Sequence, residues 1–169
     1  MTYFQLFEIP VQLQVNTSEL AGKFFQLSKK YHPDYYIKES AESQAEALEM
    51  SSRLNKAWKT FQNPDETIKY VLSLKNLIEE EEKYELPPDF LMEVLEINEA
   101  LMDADELSDP DELKQKISAL QKEIYEPVKP IVENYKDEDS TEKQLLLVKE
   151  YYYKKKYLDR INRQLAGKA

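Results

Sequence analysis

Glycine is almost absent from this chain: Gly22 and Gly167 are the only two in 169 residues. Tight β-hairpins rely on glycine for backbone angles with positive φ, and phosphate-cradling loops rely on it for close backbone approach. Two glycines therefore argue against a turn-rich β-architecture and exclude a glycine-rich phosphate loop. Leu, Glu, Lys and Ala abound instead, all of them good helix formers. Eight prolines punctuate the apolar stretches. The expected fold class is all-α.

There is no cysteine and one histidine, His32. Disulfides, thiolate metal sites and cysteine nucleophiles fall together, and so do metal sites built on paired histidines. Charge is unevenly placed. Residues 1–75 hold 9 acids and 9 bases, residues 113–169 hold 9 acids and 13 bases, and the window 76–112 holds 15 acids against the single base Lys83. That window, at net −14, accounts for the −10 of the whole chain. An acidic middle repels nucleic acid and anionic membrane, so neither is expected as a partner. No stretch approaches the ~20 apolar residues of a membrane span. Met1-Thr2-Tyr3-Phe4 does not open a basic-then-apolar leader. A soluble protein of the cytoplasm is the expectation.

Apolar stripes at helical spacing recur along the chain. A short helix spans Tyr3 to Ile9 and stops at Pro10. Asn16 reads as an N-cap, with Glu19 three residues on as a capping-box partner. Leu20, Phe24, Leu27 and Tyr31 then recur at spacings of 4, 3 and 4. Lys23, Lys29 and Lys30 fall off that stripe and are expected to face water. The helix has to end near Tyr31, because Pro33 pushes the residue before it out of the α region. A third helix follows from about Ser43 to Gln62, with Leu48, Ser51, Leu54, Ala57, Trp58 and Phe61 inward. A fourth starts at Asn63-Pro64-Asp65, with Ile68, Val71, Leu72 and Leu74 apolar. The second and third helices are expected to pair antiparallel, with His32-Pro33-Asp34 at their tip.

Residues 76–87 carry Glu79-Glu80-Glu81-Glu82 and lead into Leu86-Pro87-Pro88, which reads as an acidic linker. The expected organisation is an N-terminal unit at 1–75, the linker at 76–87 and a C-terminal unit at 88–169. The C-terminal unit opens with a helix from Pro88 to about Ala104. Asp109-Pro110 starts the next, with Leu113, Ile117, Leu120 and Ile124 inward. The last shows Leu147, Tyr151, Leu158, Ile161 and Leu165, interrupted by Lys154. Three such helices make an antiparallel bundle.

Two surfaces are candidate sites. At the tip, Pro33 fixes its own φ and stiffens a loop that otherwise loses entropy on binding. Asp34 offers an acceptor for a partner's arginine, His32 can donate or accept beside it, and Lys23, Lys29 and Lys30 present a positive face that speeds encounter with an acidic surface. On these residues alone, an ordinary helix–helix loop with a capping aspartate stands as the other reading. The second surface lies on the helix from Phe90. Phe90, Val94, Ile97 and Leu101 form one seam at spacings of 4, 3 and 4. Leu91, Met92, Leu95 and Met102 lie beyond or beside it, fringed by Glu96, Glu99 and Asp103. The pattern fits either a helix packed on both sides or an exposed apolar patch with an acidic rim.

Lys29-Lys30-Tyr31-His32-Pro33-Asp34 between two amphipathic helices resembles a J-domain, the module by which co-chaperones engage DnaK-class ATPases. Tyr3-Phe4 with Leu6-Phe7, Asn55-Lys56-Ala57-Trp58, Tyr70-Val71-Leu72-Ser73-Leu74, Phe90-Leu91-Met92-Glu93 and Tyr157-Leu158-Asp159 fall in order. Together they resemble the HscB family, J-type co-chaperones of iron–sulfur cluster biogenesis, over nearly the whole chain. The resemblance implies a J-domain, a helical hairpin with the His-Pro-Asp tip, joined to a three-helix client-binding bundle. It implies a protein that is not an enzyme and has no catalytic residue, cofactor or metal. Its tip (His32, Pro33 and Asp34, with Lys23, Lys29, Lys30 and Tyr31) would dock on a DnaK/HscA-type chaperone and stimulate ATP hydrolysis there. Its bundle would bind the iron–sulfur cluster scaffold, an IscU-type protein, through Leu91, Met92, Leu95, Glu96, Glu99, Asp103 and Tyr157, aiding cluster transfer. Without cysteine thiolates, the chain handles the carrier and not the cluster. A J-domain co-chaperone with a different client is the alternative.

Other features weigh less. Tyr151-Tyr152-Tyr153 before Lys154-Lys155-Lys156 has the composition of a base-stacking basic strip, but six successive residues point all around a helix. A packing face with snorkelling lysines is the expectation. A carboxylate metal site lacks organised histidine or a loop of metal-binding spacing, and an enzyme lacks a nucleophile, a histidine pair and a phosphate loop. Pro127 and Pro130 depart from the family pattern by falling inside the middle helix of the bundle, which has to kink near Tyr125 or else end and restart.

Overall fold

The computed structural model describes residues 1–102 and 110–168. Among the described residues there is no strand. The helices are α1 Tyr3–Leu6, α2 Thr17–Lys30, α3 Ala41–Phe61, α4 Pro64–Leu74, α5 Pro88–Met102, α6 Pro110–Tyr125, α7 Lys129–Glu133 and α8 Glu142–Lys168, with a 3₁₀ turn at Pro33–Tyr36. The chain divides into two compact units, Met1–Leu74 with Tyr135–Ser140, and Lys75–Asn134 with Thr141–Ala169. The all-α class, the hairpin of α2 and α3 with His32-Pro33-Asp34 at its tip, and the C-terminal helical bundle are as expected.

In the first unit, α1 is closed at both ends by local bonds. The Thr2 hydroxyl accepts from the Gln5 N–H at 3.1 Å while the Gln5 side chain accepts from the Thr2 N–H at 2.8 Å, a capping box. The helix ends at Leu6, short of the expected Ile9. The Ile9 N–H reaches back to the Phe4 carbonyl (3.0 Å) and the Glu8 N–H to that of Gln5 (3.1 Å), the bond pair of a Schellman turn. Glu8 takes the left-handed position at φ 55, and Asn76 and Glu81 do the same at φ 57 and 56. A chain nearly without glycine makes these turns with other residues.

α2 begins behind the N-cap Asn16, whose side chain accepts from the Ser18 and Glu19 N–H groups, and ends at Lys30 with Tyr31 as its C-cap. Gly22 sits inside it, where glycine costs about 1 kcal/mol relative to alanine. α3 begins at Ala41 behind the N-cap Ser40, two residues before the expected Ser43. Its buried face is Ala47, Leu54, Ala57 and Phe61. Leu48, expected inward, is 62% exposed, because the stripe runs through small Ala47 and leaves Leu48 about 100° around the helix. Aromatic rings fill the space between α1, α2, α3 and α4. Tyr3 stacks on Tyr70 at 4.3 Å, Phe4 and Phe7 meet Phe61 at 5.1 and 5.4 Å, and Phe24 stacks on Trp58 at 4.7 Å. Thr67 is fully buried, and its hydroxyl bonds the Thr60 and Asn63 carbonyls at 3.0 Å each.

In the second unit, α8 packs against α5, α6 and α7. Phe90, Val94, Ile97 and Leu101 of α5 are buried, as are Leu113, Ile117, Leu120 and Ile124 of α6, matching the sequence stripes. On α8 the inward residues are Leu145, Val148, Tyr151, Tyr152, Leu158, Ile161 and Leu165, while the expected Leu147 is 43% exposed. Four consecutive apolar residues offer two stripes, and the one through Leu145, Val148 and Tyr152 wins. The middle of the bundle ends and restarts. α6 stops at Tyr125, and α7 begins with Pro130 in its first turn, where a missing N–H costs least. Val128 and Val132 stay buried, so the apolar line from Ile124 survives the break.

The segment 76–87, expected as a solvated linker, is packed within the second unit. Ile78 is buried, and Tyr84 stacks on Tyr153 at 4.5 Å. The Lys149 ammonium lies 2.8 Å from the Glu82 carboxylate and also over the Tyr84 ring. Three of the four glutamates, Glu79, Glu80 and Glu81, are exposed. The fourth is held by a partner 67 residues away.

Candidate functional site

The tip is a loop whose conformation is set locally. Pro33 forces His32 into extended backbone at φ −66, ψ 128. His32 then caps the 3₁₀ turn, its Nδ1 accepting from the Asp34 N–H at 3.2 Å. With Nδ1 accepting, the ring proton sits on Nε2. The Asp34 carboxylate lies 3.6 Å from Nδ1, and the His32 and Asp34 side chains are 54% and 80% exposed. The Tyr35 ring meets the imidazole edge-on at 6.3 Å and is itself 70% exposed. Two braces, neither foreseen, hold the loop from behind. The Tyr36 hydroxyl donates to the Lys30 carbonyl at 2.8 Å, and the Gln44 amide donates to the Ile37 and Glu39 carbonyls at 3.1 Å each. An aromatic residue just past a His-Pro-Asp turn is the only sequence signal for the first; the second leaves none.

The flanking cations are not equivalent. Lys29 and Lys30 are exposed, and the Lys30 ammonium lies 5.2 Å from the centre of the half-buried Tyr31 ring. Lys23, expected to face water with them, instead pairs with Glu8 at 2.6 Å. The hydrogen bond and charge of Lys23 hold the Glu8 carboxyl below its usual range. The left-handed turn at Glu8 is what aims the carboxylate back at α2.

The second candidate surface is the outer side of α5. Leu91, Met92, Leu95 and Met102 are exposed at 41%, 71%, 53% and 83%, although Phe90, Val94, Ile97 and Leu101 close the core behind them. Leu91, Leu95, Asn98 and Met102 follow at spacings of 4, 3 and 4, so they share one line along the helix. Glu96 and Glu99 are exposed beyond that line, as a rim. Asp103 lies outside the described residues. Tyr157 of α8 comes to the inner border of the line: its hydroxyl accepts from the Asn98 amide at 2.7 Å, and its ring meets Phe90 edge-on at 6.0 Å. Arg160 lies over the Tyr157 ring at 4.9 Å. Asn98, Leu101, Met102, Arg160, Ile161, Gln164 and Gly167 line an open groove of about 730 Å³ at that end. Asn98 and Arg160, which the sequence did not single out, each stand three residues beyond a candidate residue, Leu95 and Tyr157, on the same helix face.

The tyrosine and lysine run of α8 is a packing face. Tyr151 and Tyr152 are buried, the Lys154 ammonium lies over the Phe90 ring at 5.6 Å, and Lys155 pairs with Asp159 at 3.1 Å. Burial, then the charge of Glu82, pushes the Tyr153 phenol up to about 12. Among the described residues no three of His, Asp or Glu gather to hold a metal ion, and no helix is long and apolar enough to cross a membrane.

Residues 86–166 match the family described as the HSCB C-terminal oligomerisation domain. The co-chaperone protein HscB homolog of Photobacterium profundum is 31% identical over 127 residues, covering 72% of this chain and 74% of that protein. The chain belongs to the HscB family. The crystal structure of human co-chaperone protein HscB matches with a TM-score of 0.79 at 28% identity, covering 99% of this chain and 82% of the human one. Chaperone HscB from Vibrio cholerae matches with a TM-score of 0.68 at 25% identity, covering 96% of both chains. Family membership makes this an HscB-type co-chaperone, with a His-Pro-Asp tip in one unit and an exposed apolar line in the other.

Proposed function

We propose that the chain docks its His32-Pro33-Asp34 tip on a DnaK/HscA-type ATPase, stimulates ATP hydrolysis there, and delivers to it an iron–sulfur cluster scaffold of the IscU type, so aiding cluster transfer in the cytoplasm. The J-domain is residues 1–75, and the client-binding bundle lies within 88–169. The tip offers a fixed set of groups: the Asp34 carboxylate for a partner's guanidinium, the His32 Nε2–H as donor, and the exposed Lys29 and Lys30 for an acidic surface. Stimulation requires that these groups bind the hydrolysis-prone conformation of the ATPase better than its resting one. The ATPase supplies the catalytic groups, and this chain supplies the bias.

The observation that carries the client half is the apolar line Leu91, Leu95 and Met102, left exposed by a bundle whose core is already closed. Together with Met92, the Glu96 and Glu99 rim and Tyr157, it forms an adaptable apolar surface with carboxylates placed for basic groups of the scaffold. The deciding experiment measures ATP turnover by the purified chaperone with this chain alone, with the scaffold alone and with both. Stimulation by the chain that rises further with scaffold supports the reading. Stimulation indifferent to scaffold, with no scaffold retained in a pull-down, favours a J-domain co-chaperone serving another client. No stimulation at all refutes it.

A further inference from the structure

α2 keeps a large aromatic side chain out of the core. Phe25 is 65% exposed, while the inward line of Leu20, Phe24, Leu27 and Tyr31 runs along the other side of the helix. Gly22, Phe25 and Lys29, spaced by 3 and 4, stand one above another on the outer face, and the line they draw runs toward His32. The exposed ring is not loose. It lies 5.9 Å from the ring of Phe24, which is stacked on Trp58. An aromatic group held from below loses little freedom when a partner covers it.

Gly22 beside it has no use inside the chain. It sits in a helix interior without positive φ, and a Cβ added there would meet nothing within 4 Å. Helix stability is given up with no packing gained, which leaves an outward use: a gap one turn from Phe25 that admits another chain's backbone. Exposed Lys29 and Lys30 set the sign of the surface, so the occupant is acidic around an apolar centre.

We infer that Gly22 and Phe25 form the apolar anchor of the chaperone-docking surface. Phe25 enters an apolar socket bordered by acidic groups on the DnaK/HscA-type ATPase, and a backbone segment of that partner closes on Gly22. This rests on the co-chaperone reading and adds a salt-insensitive core to a docking surface otherwise made of charges, which salt screens.

The test titrates the full chain against a purified HscA-type chaperone at saturating ATP and reads the concentration giving half-maximal stimulation. Phe25→Ala raises it about tenfold, as loss of an interface anchor does. Gly22→Ala raises it several-fold while also raising the midpoint of unfolding followed by Trp58, the only tryptophan, because alanine strengthens the helix. Weaker docking with greater stability is a combination that a merely structural role does not produce. Leu48→Ser, at a residue 62% exposed on α3, leaves the curve where it was. The inference is overturned if the Phe25→Ala and wild-type curves overlay, or if Leu48→Ser is as damaging as Phe25→Ala. It is also overturned if Phe25→Ala instead dissociates a dimer in sedimentation, which assigns the face to a second copy of this chain. A wild-type chain that gives no stimulation sinks the co-chaperone reading itself, a result distinct from overlaid curves that both rise.

Discussion

Between His32 and Ser40 no side chain is buried, whereas α5 buries four and exposes its second apolar line immediately beside them. The tip holds its shape with polar clamps: His32 Nδ1 on the Asp34 N–H, Tyr36 on the Lys30 carbonyl, and Gln44 on the carbonyls of Ile37 and Glu39. The α5 face holds its shape through the seam behind it. On the proposed function, a few clamped groups make a recognition element whose removal should cost folding little. A face carried on a core helix spreads recognition over many contacts and ties it to the packing underneath. Single substitutions should therefore act almost all-or-none at the tip and by degrees on α5.

The sharpest way to break that contrast is His32→Gln. Glutamine has an acceptor and a donor but not the rigid ring that holds one toward the Asp34 N–H and the other at Nε2, so stimulation of the ATPase should be lost outright, a coupling of about 1–3 kcal/mol. The exposed side chain leaves helicity and melting temperature nearly unchanged. Full stimulation, read in a steady-state ATPase assay beside a circular-dichroism melt, would contradict the assignment. On α5, Leu91→Ala combined with Leu95→Ala should weaken scaffold binding by about 2 kcal/mol, on the order of thirtyfold, when titrated calorimetrically. The Trp58 unfolding transition in the other unit should stay in place. Unchanged scaffold affinity counts against that face.

How much of this was legible follows the same division. His32, Pro33 and Asp34 could be read directly because three adjacent residues define the turn; Tyr36 and Gln44, which brace it, could not, because their partners are backbone groups that sequence does not pair. The α6 seam was legible because polar residues flank most of its apolar positions; on α5, where Leu91, Leu95 and Met102 run beside the seam, Phe90, Val94, Ile97 and Leu101 stood out as the one 4, 3 and 4 line that is apolar throughout. Leu48 and Leu147 were misassigned because each has an apolar neighbour, Ala47 or Val148, able to face inward in its place, and only the facing helix decides. Glu79 to Glu82 read as solvated because charge usually is. Glu82 escapes that rule through Lys149, and Lys23 through Glu8, pairings made only by the folded chain.

The segment around Glu82 gives a smaller, pH-dependent test within the second unit. Tyr153 is pushed up to about 12 from an ordinary value of 10.0. The folded state thus holds the phenolic proton more tightly than the unfolded chain. That contribution is fully present below pH 10 and is lost as pH rises from about 10 toward 12. Melting temperature should fall across that window, and Tyr153→Phe should flatten part of the fall. An identical alkaline profile in the variant would mean that the Tyr84, Tyr153 and Glu82 cluster does not help fasten the segment to α8. The tip unit also has a titrating group under burial, since burial raises Tyr70 although the Tyr3 N–H donation opposes it. The variant must therefore be compared with wild type, not with a pH-independent baseline.

The smallest effect is expected at Glu8. Its backbone sits at φ 55, a strained place for any residue but glycine, and its carboxylate occupies Lys23. Glu8→Gly relieves the strain and removes an ion pair whose carboxylate side is exposed, so the two changes oppose each other and the melting temperature should shift little. Folding holds the Glu8 carboxyl below its ordinary 4.5. The pair's contribution is thus present above that value and is lost as pH falls through the lower folded one, so the variant should lose that acid dependence. Docking should respond more clearly than stability. Freed Lys23 joins Lys29 and Lys30, and the concentration for half-maximal stimulation should drop about twofold at low salt and converge on wild type at high salt. A drop that persists at high salt would mean that Glu8 obstructs the partner by its shape, placing the α1–α2 turn, and not the charge of Lys23, at the edge of the docking surface.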